Sequence, residues 1–141
     1  MAISFSQDDI QFVLREKQRI RQWITRVVQD ADKRVGEIAY VFCSDETLLR
    51  YNRQFLNHDT YTDIITFDYV SGDVVSGDII ISVDRVRENA AQLGNPFVQE
   101  LRRVLIHGVL HLLGQGDKSE KESKEMRAKE EAALALWKQI K

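Results

Sequence analysis

The chain has 141 residues, of which 43% are hydrophobic and 30% charged, and its net charge is -2. This composition supports one globular core, so we expect a single domain over residues 1–141. Because the net charge is slightly negative, the protein is not basic overall. Any positively charged surface that binds nucleic-acid phosphates must therefore be a local patch. One cysteine cannot form an internal disulfide, and neither a signal peptide nor an apolar run of about 20 residues is visible. We expect a cytoplasmic protein without a membrane partner.

Hydrophobic periodicity and turn residues divide the chain into nine elements. They are a short strand around Ile3 and Phe5, a helix over about 9–30, a strand over 37–43, a helix with apolar residues Leu48, Leu49 and Phe55, strands over 63–70 and 76–82, and helices over 84–93, 97–113 and 119–141. Gly36 is expected to break the pattern before the second strand, and Ser44 or Asp45 to cap the second helix.

The order of these elements indicates the fold class. Strands and helices are mixed without strict alternation, and the strands over 63–70 and 76–82 can form a hairpin across the turn between them. This pattern predicts an α+β fold with one small mixed sheet of about four strands and about five helices.

Two of the three histidines lie in the most apolar predicted helix. His107 and His111 are four residues apart, so they share one helix face and their imidazoles can converge on one ion. Burying two imidazoles among Val and Leu residues without a partner is costly, although spacing alone also allows two hydrogen-bonded histidines. Gly114 is expected to end the helix, and Asp117 can then reach the same ion. Three protein ligands and an open position are typical of catalytic zinc, and other divalent ions such as iron are also compatible.

This segment resembles the H-G-x-L-H-L-x-G-Y-D-H signature of the YbeY endoribonucleases, a family of ribosomal RNA maturation factors. The matching residues are His107, Gly108, Leu110, His111, Leu112 and Gly114. Upstream, Asn52, Asp59 and residues 62–67 resemble the family's N-x-x-Y-R-x-K-D-x-P-T-D-V-L-S-F stretch, and residues 77–82 resemble its G-D-I-x-I-S strand. The resemblance extends from about residue 36 to residue 131, and several linked motifs in the right order make it specific.

The resemblance implies a zincin-like metal helix and a zinc-dependent endoribonuclease that cuts single-stranded RNA. The implied role is ribosomal RNA maturation and ribosome quality control, with ribosomal RNA and the small ribosomal subunit as partners and with no DNA partner. It also places Asp63 in the family's cleft segment, so Asp63 and Thr66 are candidates for contacting substrate near the metal. The alternative is that Asp63 only starts a strand and that Thr66 pairs across it.

Several positions depart from the family pattern. Asp117 stands where the family has its third histidine, so a carboxylate replaces an imidazole in the expected ligand set of His107, His111 and Asp117. Leu56 stands where the family has an arginine linked to activity. Arg53, one helical turn earlier, and His58 are therefore the candidates for stabilising phosphate charge. The alternatives are that Arg53 is an ordinary exposed residue of the helix surface, as most arginines are, and that His58 caps or hydrogen-bonds a loop.

Two other functions stay open. A zinc peptidase is the first, because the helix resembles H-E-x-x-H, but Gly108 occupies the position of the general base Glu. The second is a non-catalytic ribosome-assembly factor, which the missing arginine at Leu56 leaves possible. The basic residues of the first helix can face RNA, although such residues more often form a solvated face.

Overall fold

A computed structural model describes residues 2–57 and 62–141 of the chain. These residues form four strands and five helices. The elements are β1 Ala2–Gln7, α1 Lys17–Asp30, β2 Arg34–Cys43, α2 Asp45–Phe55, β3 Ile64–Asp68, β4 Val74–Ser82, α3 Val83–Leu93, α4 Phe97–Leu112 and α5 Glu120–Trp137. The α+β fold predicted from the sequence is thereby confirmed.

The four strands form one mixed sheet in the order β1-β2-β4-β3. β1, β2 and β4 are parallel, whereas β3 pairs antiparallel with β4 at the edge, which confirms the predicted hairpin. The prediction that Gly36 precedes the second strand is wrong. Gly36 lies inside β2 at a shift in register, where a Cβ atom would lie 2.6 Å from Val74 Cγ1 and would overlap the Ser76 hydroxyl. Glycine is therefore required there by close approach of the neighbouring strand.

The first helix begins eight residues later than the sequence predicts, at Lys17 instead of Asp9. The Asp9 carboxylate accepts hydrogen bonds from the Ser44 N–H at 2.9 Å and the Thr47 hydroxyl at 2.7 Å. Phe12 is buried against β2 and α4, and Glu16 adopts a left-handed φ of 59°. Contacts with distant elements thus hold residues 8–16 outside the helix, and local periodicity does not encode such contacts.

The two faces of the sheet carry hydrophobic cores of different size. On one face, Ile79 and Ile81 belong to the large core formed with α1, α3, α4 and α5. On the other face, α2 covers a small cluster formed by Cys43, Leu48, Ile65 and Ile80. Burial raises the pKa of the Cys43 thiol to about 12, so this cysteine stays protonated at neutral pH.

Helix α4 lies directly on the sheet in the large core. The Tyr40 hydroxyl donates a hydrogen bond of 2.8 Å to the Leu105 carbonyl. A Cβ atom at Gly108 would lie 2.9 Å from Ile79 Cγ2 and 3.1 Å from Ile64 Cδ1. The absence of a side chain at Gly108 therefore lets the helix approach β3 and β4 closely, and it fixes the depth at which the flanking histidines lie.

Helix α5 covers α1 and α4. Ser119 and Glu122 form a capping box at its first turn, and the Trp23 indole N–H donates to the Ala133 carbonyl at 2.8 Å. The charges from Lys118 to Glu131 alternate in sign along the sequence, which predicts an exposed, salt-bridged helix, and one position contradicts this. Glu130 is only 3% exposed and faces α4. Within the described ranges, none of the helices is long and apolar enough to cross a membrane.

Candidate metal centre

The end of α4 turns the chain back towards its own histidines. The N–H of Gln115 donates to the Leu110 carbonyl at 3.0 Å, and the N–H of Gly114 donates to the His111 carbonyl at 2.9 Å. These two bonds are those of a Schellman motif, and Gly114 has the positive φ of 95° that the motif requires. The predicted helix end at this glycine is therefore confirmed, and it directs the residues that follow towards the exposed side of the histidine pair.

His107, His111 and Asp117 meet at this turn. The Nε2 atoms of His107 and His111 lie 3.3 Å and 3.4 Å from Asp117 Oδ2, and the two imidazole rings are nearly perpendicular. The three candidate ligand atoms all lie within 4.8 Å of one another. Two ligands about 2.0–2.1 Å from a tetrahedral ion lie roughly 3.3–3.4 Å apart. The spacing of these donors therefore fits a single small cation.

Both histidines use their other ring nitrogen for a hydrogen bond to oxygen. His107 Nδ1 lies 2.5 Å from Glu130 Oε2, and His111 Nδ1 lies 3.0 Å from the Gln115 carbonyl oxygen. A carbonyl oxygen only accepts, so His111 Nδ1 carries a proton, which leaves Nε2 as the ring nitrogen that can bind a metal. Metal-binding histidines in proteins usually show this arrangement. The donor set thus fits a divalent metal in chemistry as well as in spacing.

Charged neighbours shift the pKa of His107. Burial lowers the pKa of this imidazole, but the hydrogen bond to Glu130 and the charges of Glu130, Asp117 and Asp63 outweigh burial, so the net pKa is raised. The Glu130 carboxyl shows the converse effect. Burial raises its pKa, but the contacts with His107 and Arg103 lower the pKa by more, so the net pKa is lowered. Glu130 is therefore a carboxylate at neutral pH, and the acidic surroundings of His107 favour a bound positive charge.

The predicted substrate residues belong to the β3 region: Asp63 directly precedes the strand, and Thr66 lies within it. The Asp63 carbonyl accepts from the Ser82 N–H at 3.0 Å, and the charge of its carboxylate contributes to the raised pKa of His107. Thr66 pairs directly with Ile79, whose side chain contacts α4, so Thr66 is on the sheet face that α4 covers. Both residues are outside the group of converging ligand atoms but on its side of the sheet.

Arg53, a predicted catalytic residue, lies on the last turn of α2 and is exposed. Helix α2 packs on the sheet face opposite α4, and the converging ligand atoms are those of His107, His111 and Asp117. Leu56 caps the same helix and is 41% exposed. His58 lies outside the described residues.

Sequence reasoning missed Glu130, which contacts His107 from α5. It is surrounded by charged residues in the sequence, so the pattern there is typical of a solvated helix face. The only available signal was spacing along the helix. Met126, Glu130, Ala133 and Trp137 recur at intervals of three or four residues, which places Glu130 on the buried stripe.

An α+β fold that holds two histidines of one helix and a following carboxylate around a common point is typical of metal-dependent hydrolases. Comparison with known proteins agrees with this class. The family model of Endoribonuclease YbeY matches residues 2–138. The chain therefore belongs to the YbeY endoribonuclease family, whose members are named as hydrolases of RNA.

Individual relatives match over nearly their whole length. The endoribonuclease YbeY of Bacteroides fragilis is 48% identical over 139 residues, which cover 99% of this chain and all of that protein. The endoribonuclease YbeY of Phocaeicola vulgatus is 52% identical over 95% of this chain and 97% of its own. The solution structure of TM1509 from Thermotoga maritima matches with a TM-score of 0.68 and 27% identity, covering 96% of this chain and 89% of that one.

Proposed function

We propose that this protein is a zinc-dependent endoribonuclease that cuts single-stranded RNA, with His107, His111 and Asp117 as the protein ligands of one zinc ion. The observation that carries the proposal is that the Nε2 atoms of both histidines lie 3.3–3.4 Å from Asp117 Oδ2, in a chain of the YbeY family. Other divalent ions suit two imidazoles and one carboxylate, and the metal analysis below distinguishes them.

Zinc bound there would supply a Lewis acid for the phosphodiester and would lower the pKa of a water molecule. The chain's own residues would bind and orient the RNA. Asp63 and Thr66 are the proposed substrate contacts, because both are on the α4 side of the sheet. Arg53 and His58 are the proposed groups for stabilising negative charge on the phosphate, because Leu56 stands where the family has its arginine.

The proposed substrate is ribosomal RNA, cut in the cytoplasm during its maturation and during ribosome quality control, with the small ribosomal subunit as partner. The family and the names of the relatives support an RNA substrate. The first helix is a poor candidate for holding RNA, because its arginines are engaged within the protein. Arg19 donates to the Trp137 carbonyl, Arg21 to the Ile3 carbonyl, and Arg26 pairs with Asp30.

The test is cleavage of RNA by protein stripped of metal and reloaded with zinc. Wild type should cut a single-stranded RNA and leave the same RNA uncut when it is annealed to its complement. His111→Ala should lose this activity, whereas Glu125→Ala, an exposed change on α5, should retain it. Equal cleavage by wild type and His111→Ala would mean that the activity is a contaminant, and the enzyme hypothesis would fail.

Metal analysis tests the ligand set separately. Purified wild type should contain one zinc ion per chain, and Asp117→Ala should bind it far more weakly because one of three protein ligands is lost. Stoichiometric zinc with unchanged affinity in Asp117→Ala would refute the third ligand.

A non-catalytic ribosome-assembly factor is the second candidate. The observation that favours it is the exposed Leu56 at the position of the family arginine, together with the location of Arg53 on the opposite face from α4. A protein that binds zinc and the small subunit without cutting RNA would support it. No observation favours a peptidase. Gly108 occupies the position of the general base Glu, and even a Cβ atom there would lie 2.9 Å from Ile79 Cγ2.

A further inference from the structure

A chain of charged groups leads from Glu100, in the first turn of α4, to the back of His107. Glu100 and Glu130 are 1% and 3% exposed, and Arg103 lies between them. Arg103 pairs with both Glu100 oxygens, one of them through its Nε at 3.0 Å, and its Nη1 lies 3.3 Å from Glu130 Oε1. The other Glu130 oxygen contacts His107 Nδ1 at 2.5 Å. Both oxygens of the Glu130 carboxylate are therefore directed, one to a guanidinium and one to the imidazole.

The positions of these residues explain how they are held. Glu100, Arg103 and His107 are three and four residues apart on one face of α4, whereas Glu130 comes from α5. A buried carboxylate without partners is strongly unfavourable, so packing of α5 at this point depends on the two contacts that Glu130 makes with α4. The orientation of the imidazole and the docking of α5 thus depend on the same side chain.

The charges of this chain of residues do not cancel. Two carboxylates and one guanidinium leave one negative charge, and Asp117 adds a second beside the histidine Nε2 atoms. His107 is therefore contacted by two carboxylates, those of Glu130 and Asp117, and only Glu130 is paired with a guanidinium, so the surroundings of the imidazoles are negative and suit a cation. His111 has no such support, because its Nδ1 is held by the neutral Gln115 carbonyl.

From this geometry we infer that Glu130 is a positioning residue of the metal centre, held by Arg103 and Glu100, which orients His107 and keeps its Nε2 available for the metal. The inference rests on the proposed metal site and adds a helix, α5, to it. Hydrogen-bonded carboxylates behind a ligating histidine commonly fix its tautomer and increase its basicity, and their loss reduces metal affinity about 10–100-fold.

The test is the zinc affinity of the full-length protein, measured by competition with a chromogenic chelator. Glu130→Gln keeps the size of the side chain and an acceptor oxygen but removes the charge, and we expect zinc to bind roughly 10-fold more weakly. Glu130→Ala removes both, and the loss should approach roughly 100-fold. Glu131→Gln, the same change at the exposed neighbouring residue, is the matched control and should bind zinc like wild type.

A second measurement separates positioning from mere stability. Nitrogen-15 NMR of His107 in the metal-free protein at alkaline pH should show the Nδ1–H tautomer in wild type and a mixture of tautomers in Glu130→Ala. If Glu130→Ala does not fold, Arg103→Gln tests the same contact from the other side and should weaken zinc binding less than tenfold. Melting temperatures of the metal-free variants show how much of each change comes from unfolding.

The outcomes distinguish this inference from the proposed function. If wild type binds zinc and Glu130→Gln binds it as tightly as Glu131→Gln, the positioning role is overturned and the metal site stands. If wild type binds no zinc and no other divalent metal, both the site and the role of Glu130 are overturned.

Discussion

One face of the sheet is covered by α1, α3, α4 and α5, with a core that includes Ile79, Ile81 and Leu105. The other face is covered by α2 over a cluster of four buried residues. The candidate ligands lie on the first face, and Arg53 lies on the second. A metal centre needs side chains whose rotamers are fixed by their surroundings. On the α4 face, α5 helps to fix the rotamer of His107 by contributing Glu130. On the α2 face, Arg53 in the last turn of α2 is exposed.

The strongest test of this difference compares one variant on each face in RNA cleavage. Asp117→Ala removes a proposed ligand, so we expect the rate to fall roughly 100-fold or more, about 3 kcal/mol in activation free energy. Arg53→Gln should reduce the rate by at most about tenfold, because Arg53 belongs to the helix that packs on the opposite face of the sheet. Single-turnover rates with zinc-loaded protein measure both. A larger loss in Arg53→Gln than in Asp117→Ala would contradict the placement of the chemistry on the α4 face.

The two cores should also differ in their contribution to stability. Leu105 and Leu48 are both almost fully buried, one in each core. Replacement of a buried Leu by Ala costs about 2–5 kcal/mol, more where the surroundings cannot relax. We expect Leu105→Ala near the upper end and Leu48→Ala near the lower end, because the small cluster under α2 can collapse around the gap. Urea unfolding of the two variants measures the loss in the free energy of unfolding. Equal losses would show that the small cluster under α2 is as rigid as the large core.

The close contact between α4 and the sheet can be tested at Gly108. Gly108→Ala places a Cβ atom 2.9 Å from Ile79 Cγ2. Overpacking of this kind costs roughly 1–3 kcal/mol, against about 1 kcal/mol that alanine gains over glycine in a helix. We therefore expect a net loss of about 1 kcal/mol in the free energy of unfolding, together with weaker zinc binding, because the helix must move at the histidines. An increase in stability would show that α4 is free to shift.

On the α2 face the smallest effect concerns pH. Hydrogen bonds from Ser44, opposed in part by burial and helped by Thr47, hold the pKa of Asp9 at about 2, below its usual value of 3.8. Because the folded pKa is lowered, the stabilisation is complete above pH 3.8 and is lost as the pH falls towards 2. Wild type should exceed Asp9→Asn in stability at pH 6 by at most about 1 kcal/mol, since this carboxylate is exposed, and the difference should shrink by pH 3. A difference that is the same at both pH values would exclude this titration as its source.

Local patterns in the sequence were sufficient for most of the elements and for the histidine pair. Alternation predicts β1 and β4, helical spacing predicts α4, and Gly114 marks its end. The start of α1 was predicted wrongly, because Asp9 and Phe12 are held by β2 and by residues at the start of α2 and α4. Helical periodicity does not indicate such distant partners. The predicted start of α1 is therefore wrong because tertiary contacts override local helix propensity there.

The sequence by itself determined the α+β class, the family resemblance, and the placement of His107 and His111 on one helix face, because each depends on spacing over a few residues. Only the tertiary structure decided that Asp117 Oδ2 lies 3.3–3.4 Å from both imidazoles and that Glu130 reaches His107 from another helix. The physical reason is that both contacts depend on how separate parts of the chain pack: Asp117 returns to the histidines after the turn at Gly114, and Glu130, 23 positions from His107, reaches it through the docking of α5 on α4. Such docking is set by burial of the whole core, to which no single segment of the sequence corresponds.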